Sequence, residues 1–77
     1  MPHVIVKLYS GRSDQQKTRL ADAITKAVTD VLKLGDEAVS VSVEDVSPEE
    51  WVAKVYKPDI LGSPEKIYKK PGYNPLE

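Results

Sequence analysis

The chain has no cysteine. Disulfides and cysteine-held metals are therefore excluded, and these are the usual staples of small domains. It has one histidine, which makes a zinc site improbable on donor count alone. Charge of one sign is also missing: 11 basic residues stand against 12 acidic ones, a net charge of −1. No basic field is available to attract nucleic acid. Long hydrophobic runs are absent, so no segment reads as a membrane span. The N-terminus lacks the apolar core of a signal peptide. A cytoplasmic setting is the expectation. Arginine is scarce, with only Arg12 and Arg19. The chain has 77 residues, and a domain that small buries only about 60% of its unfolded surface. Self-association is the remaining common route to stability.

What is present divides into two textures. In "PHVIVKLY", Val4, Val6 and Leu8 alternate with His3, Lys7 and Tyr9, which predicts a strand with one apolar face. Ile5 makes the other face partly apolar. Ser10-Gly11-Arg12 reads as a turn. Ser13 is then a helix N-cap, Gln16 completes a capping box, and Asp14 complements the helix dipole. Leu20, Ile24, Ala27, Val28 and Val31 recur at helical spacing, with Leu32 and Leu34 extending the stripe. Lys33 falls in the last turn and Gly35 is the expected residue just past the end. Lys17, Arg19, Asp22, Lys26 and Asp30 form a solvated face. "AVSVSVED" predicts a second strand, with Val39, Val41 and Val43 opposite Ser40, Ser42 and Glu44.

Strand, helix and strand with short links form a βαβ unit over 2–46. Its two strands should be parallel, with a right-handed crossover. Residues 47–77 are richer in proline. Ser47, Pro48 and Glu50 predict a short helix running to about Tyr56 and ended by Pro58. Ser63 and Pro64 predict a further turn or two of helix to about Lys70. Pro71-Gly72 is a turn signal. Two strands and one helix leave a sheet face and both edges bare. A twofold pairing into a four-stranded sheet would cover them, with residues 47–77 clasping the partner. The fold class is α+β, in one domain spanning 1–77.

Pro2 stands directly behind Met1. Removal of Met1 would leave a secondary amine at the chain start, restricted by its ring. An α-amino group titrates at about 7.7–8.0 when unperturbed. Desolvation or a nearby cation lowers that value, towards what a general base at neutral pH requires. Met-Pro alone carries little information, because many chains begin that way.

Pro2 opening a strand, followed by "GRSDQQK" opening a helix, resembles the 4-oxalocrotonate tautomerase family over Pro2 to about Trp51. "PHVIVK", "SPEEW" and "KKPGY" are more similar still to its dimeric branch, the PptA-type tautomerases of bacteria. The resemblance implies the β-α-β (MIF-like) tautomerase fold, a homodimer, and catalysis by an amino-terminal proline without metal or organic cofactor. It implies keto–enol isomerisation of enols of 2-keto acids. Pro2 matches the catalytic proline, Arg12 a carboxylate-binding arginine, and Trp51 an aromatic pocket residue. Ser40 stands where the family has a second arginine. That departure disfavours a dicarboxylate substrate and favours a monocarboxylate with an apolar or aromatic body, such as an enolpyruvate.

Each of these residues also has a plainer reading. Arg12 could be a solvated turn residue and Trp51 ordinary packing. His3 reads as an edge or interface histidine. Tyr68 and Tyr73 read as packing against a partner. Two further functions compete with tautomerisation. A hydratase or dehalogenase relative would need several arginines and a water-activating carboxylate. A non-enzymatic dimeric interaction module would need neither. Parallel strands start together, so Pro2 should lie beside Val39 and Ser40, with Arg12 at the opposite end of the sheet. Arg12 is then expected to serve the Pro2 of another subunit.

Overall fold

A computed structural model describes residues 1–77. The alternating segments form β1 (His3–Tyr9) and β2 (Ser40–Val46). They pair in parallel, with His3 beside Ser40 at one end and Tyr9 beside Val46 at the other. The ladder runs one residue further at each end. The Ser40 N–H donates to the Pro2 carbonyl at 3.2 Å, and the Ser10 N–H donates to the Val46 carbonyl at 3.1 Å. Successive side chains point to opposite faces. Val4, Val6, Leu8, Val41 and Val43 therefore share one face, and His3, Ile5, Lys7, Tyr9, Ser40 and Ser42 share the other.

Helix α1 (Asp14–Leu32) crosses between the strands. Its start is the expected capping box. Ser13 Oγ accepts the Gln16 N–H at 3.1 Å, and Gln16 Oε1 accepts the Ser13 N–H at 3.3 Å. Asp14 lies in the first turn, beside the positive end of the dipole. Lys17 Nζ reaches Asp45 Oδ2 at 2.8 Å, tying the first turns of α1 to the valine face of the sheet.

The end of α1 differs from expectation. Lys33, not Gly35, is the left-handed residue, with φ 58° and ψ 51°. Its N–H donates to the Thr29 carbonyl, and the Leu34 N–H bonds the same oxygen at 3.2 Å. Gly35 is extended at φ −85° and instead opens a single 3₁₀ turn, Asp36–Ala38. The link into β2 needs that turn, so the reversal falls two residues earlier, on a side chain that tolerates it less well.

The C-terminal third departs further. Pro48–Glu50 is one 3₁₀ turn. The Ser47 hydroxyl does not cap a backbone N–H; it donates to Glu50 Oε1 at 3.0 Å. Lys54 also bonds Glu50, at 2.6 Å. The lysine first, and then Ser47, hold the Glu50 carboxyl below the usual carboxylate range. After Trp51 the chain forms a π-helix, Val52–Leu61, that passes through Pro58 rather than stopping before it. In an α-helix the proline ring would strike the carbonyl four residues back. A turn closed by i→i+5 bonds is wider, and that widening accommodates Pro58.

The Gly62 N–H closes the last such turn on the Lys57 carbonyl at 2.7 Å. A Cβ at Gly62 would lie 2.7 Å from the Pro58 carbonyl oxygen, so this close approach requires glycine. The second expected helix shrinks to one 3₁₀ turn, Pro64–Lys66, after which Ile67 is extended. Ser63 turns its hydroxyl back towards the Pro58 carbonyl and caps nothing.

The π-helix supplies the two buried residues of the chain, Val55 and Tyr56, each 5% exposed. Asp59 Oδ2 pairs with Lys7 Nζ at 2.6 Å, joining the π-helix to β1. That hydrogen bond is the main cause raising the Lys7 pKa; slight burial opposes it, and the charges of Asp59 and Glu44 add to it. A folded-state pKa that is raised stabilises below the ordinary lysine value, and the effect is lost as pH rises through the raised one. This contribution therefore fades only in strong alkali.

Much apolar surface stays open within one chain. Ile5 is 55% exposed and Val31 76%. The sheet has two strands, and both outer edges are unpaired.

Opposite changes at the two ends of α1 test this account. Ser13→Ala should lower stability by about 1 kcal/mol through the lost cap. Lys33→Gly should raise it by roughly 1 kcal/mol by relieving the left-handed strain. Urea unfolding at one fixed protein concentration measures both, since self-association would make the midpoint concentration-dependent. Equal effects of the same sign would contradict the assigned cap geometry.

Candidate active site

The start of the sheet gathers three of the singled-out residues. Pro2 is half-buried at the mouth of β1. Its carbonyl takes the Ser40 N–H, which brings the Ser40 backbone against the proline. His3 is the register partner of Ser40. The side chains of this pair share a face, and His3 Nδ1 lies 2.7 Å from Ser40 Oγ. Sequence pattern read His3 as an edge residue; nothing in it revealed this bond, because the partner is 37 residues away. Met1 stands fully in solvent, at 102% relative exposure. While Met1 is attached, the Pro2 nitrogen is an amide without basicity. Its exposure leaves the Met1–Pro2 bond open to a processing enzyme.

The other singled-out residues lie at the far end. Arg12 follows the turn after β1, where Gly11 takes φ 115°, a conformation L side chains rarely adopt. The Arg12 side chain is exposed and makes no ion pair. It lines a hollow of about 200 Å³ with Leu8, Gln16, Lys17 and Leu20. Lys17 is engaged by Asp45, so Arg12 is the unpaired cation there. A guanidinium in this state can grip a carboxylate through two parallel hydrogen bonds.

Trp51 is half-buried and packs edge-on against Tyr9, the last residue of β1, with ring centroids 5.1 Å apart. Its indole N–H donates to the Tyr73 hydroxyl at 3.3 Å. Tyr73 in turn lies 5.8 Å from the Tyr56 ring. Tyr73 thus packs within its own chain and remains 47% exposed. Tyr68 stands in solvent at 98% exposure. The aromatic cluster was only partly legible in sequence. Alternation puts Tyr9 on the second face, but only the folded tail returns Tyr73 to it. Tyr56 and Tyr73 also line a larger groove of about 560 Å³ with Ile60, Leu61, Ile67 and Pro71. Neither Pro2 nor Ser40 lines that groove.

The two ends are separated by the seven residues of β1, about 20 Å at the usual rise. One end holds the proline and a hydroxyl. The other holds the unpaired Arg12 and aromatic walls. A single chain does not bring Pro2 together with Arg12 or Trp51.

Comparison with known proteins shows which family the chain belongs to. The family model described as "Tautomerase enzyme" matches residues 2–57, from Pro2 through both strands and past Trp51. A probable tautomerase of Xylella fastidiosa (strain 9a5c) is 49% identical over 76 residues, covering 99% of this chain and 93% of its own length. Tautomerase PptA of Cronobacter sakazakii (strain ATCC BAA-894) is 35% identical over 74 residues, with 95% and 97% covered. The crystal structure of TomN, a 4-oxalocrotonate tautomerase homologue in the tomaymycin biosynthetic pathway, superposes with a TM-score of 0.63 at 42% identity, over 65% of this chain and 77% of that one. The relatives bear the names of enzymes, so the reading as a non-enzymatic module gives way. With the parallel β-α-β unit in place and likeness along nearly its whole length, the chain belongs to the tautomerase family and is an isomerase of the tautomerase type.

Proposed function

We propose that, once Met1 is removed, the Pro2 amine carries the tautomerase reaction on an enolpyruvate-type 2-keto acid. The observation that carries this reading is the position of Pro2. It is the first residue of the family match, and it is half-buried beside Ser40 at the open end of the sheet. A neutral amine near pH 7 is a competent base.

The step balances with protons alone. Neutral Pro2 takes the proton from the enol hydroxyl and leaves a conjugated enolate. The protonated Pro2 then delivers that proton to the adjacent carbon. The enol C=C bond is lost, a C=O bond forms, and no electron leaves the substrate. The pyrrolidine ring restricts where the nitrogen lies, which favours productive alignment.

Arg12 of the partner subunit holds the substrate carboxylate through a two-pronged, charge-assisted pair. Trp51 walls the pocket and helps exclude water. An antiparallel twofold pairing brings the Arg12 end of one chain to the Pro2 end of the other, and the open sheet edges and Ile5 supply surface for it. The working form is therefore a homodimer with shared sites. Residues 47–77 contribute the clasp around the partner, and the cytoplasm is the proposed compartment. No helix is long and apolar enough to cross a membrane. With Ser40 in place of a second arginine, one carboxylate per substrate is the better match, and an aromatic or apolar body suits Tyr9 and Trp51.

Intact mass of the purified protein should show Met1 absent. Ketonisation of an aryl enolpyruvate, followed in the ultraviolet, should slow by at least about 100-fold in Pro2→Ala, the usual scale for losing a general base. An unchanged rate would overturn the proposal. Mixing Pro2→Ala subunits with Arg12→Ala subunits should restore one intact site per mixed dimer, although each variant alone is impaired. Mixed dimers that form but stay inactive would sink the shared site and leave Pro2 to be judged by its own variant.

A further inference from the structure

The proposed reaction creates negative charge on the substrate oxygen next to Pro2, at the end of the sheet where β1 and β2 begin. The residues there are His3 and Ser40. They are register partners, their side chains lie on one face, and His3 Nδ1 is 2.7 Å from Ser40 Oγ. Ser40 is bonded through its own N–H to the Pro2 carbonyl, so the ladder holds its backbone beside the proline.

A bond of 2.7 Å between these atoms contains one proton, which has two possible origins. If Ser40 donates to Nδ1, its oxygen offers only lone pairs outward, and those repel an enolate. If Nδ1–H donates to Ser40, the hydroxyl proton is free to point at the substrate. An anion forming beside Ser40 selects the second arrangement, because a hydrogen bond to a charged acceptor is the stronger one. His3 then fixes a hydroxyl that would otherwise rotate among partners, including water.

We infer that Ser40 Oγ–H is the hydrogen-bond donor to the substrate's enolate oxygen, and that His3, through Nδ1–H, is the residue that positions it. The inference rests on the Pro2 reading for the location of the reacting oxygen. It gives Ser40 the part that a cation would otherwise play, with a neutral donor aimed by its neighbour. A neutral pair adds no second charge at this end, which accords with a substrate carrying one carboxylate. Donors aimed where charge develops act on the transition state more than on the bound enol. The effect should therefore fall on kcat and spare KM.

The test uses the Met1-free protein with an aryl enolpyruvate, and four variants: Ser40→Ala, His3→Leu, His3→Asn and the double variant. Ser40→Ala should lower kcat by about 10- to 100-fold with KM within about threefold, at or below the range for loss of one such donor. His3→Leu should lower kcat by about 10-fold. The Asn amide nitrogen can take the place of Nδ1–H, so His3→Asn should recover most of that loss. The double variant should be no worse than Ser40→Ala, since His3 acts only through the hydroxyl; coupled residues are non-additive in this way.

Full activity in Ser40→Ala overturns the inference, as does a His3→Leu loss that persists undiminished in the Ser40→Ala background. Pro2→Ala, run alongside, separates the two readings. If Pro2→Ala is inactive and Ser40→Ala is not, the donor fails and the base stands. If Ser40→Ala is impaired and Pro2→Ala is not, the base fails, and the donor's assumed location beside it fails too. Both side chains are exposed, so the variants should fold; circular dichroism and sedimentation check this directly.

Discussion

Two parallel strands joined by a helix must begin at the same end of their sheet. Here that pairing places His3 against Ser40 and Tyr9 against Val46. Pro2 and Ser40 are thereby neighbours although 38 positions separate them in sequence. The same constraint sends the turn carrying Arg12, and the segment carrying Trp51, to the other end. A base and hydroxyl are thus divided from a cation and aromatic wall by the length of the strands. An antiparallel strand order would have brought Pro2 near the end of the second strand and removed the Ser40 contact altogether.

The division has an energetic counterpart. The chain buries Val55 and Tyr56 and little else. The valine face of the sheet lies under α1, but Ile5 and both edges are open. Hydrophobic burial is the main favourable term in folding, and a lone chain of this kind has little of it. Association through the open surface would supply both the missing core and the missing half of the site. Stability and activity would then draw on one interface, which is economical in a chain of 77 residues.

Local chemistry was legible wherever the decisive partners are close in sequence. The Ser13–Gln16 capping box lies within one turn, and the structure has both of its hydrogen bonds. The strand alternation fixes which side chains share a face, and the valine face formed as expected. Legibility failed where a distant contact outweighed local preference. Gly35 was the natural end of α1, yet the link into β2 moved the left-handed residue to Lys33. Pro58 was a natural stop, yet the chain widened into a π-helix around it. Tyr73 returns to Trp51 over 22 residues, a contact with no periodic signature.

By itself, the sequence determined the βαβ order, the capped start of α1, the apolar and polar faces, and the candidate proline, arginine, serine and tryptophan. Each follows from chemistry within a few residues or from the resemblance carried by short motifs. Only the tertiary structure decided that His3 and Ser40 share a hydrogen bond, that Tyr9 and Tyr73 hold Trp51, and that the C-terminal third is a π-helix with single turns. These depend on which distant groups meet in space. A hydrogen bond between side chains 37 residues apart exists only after the backbone ladder has brought their strands into register.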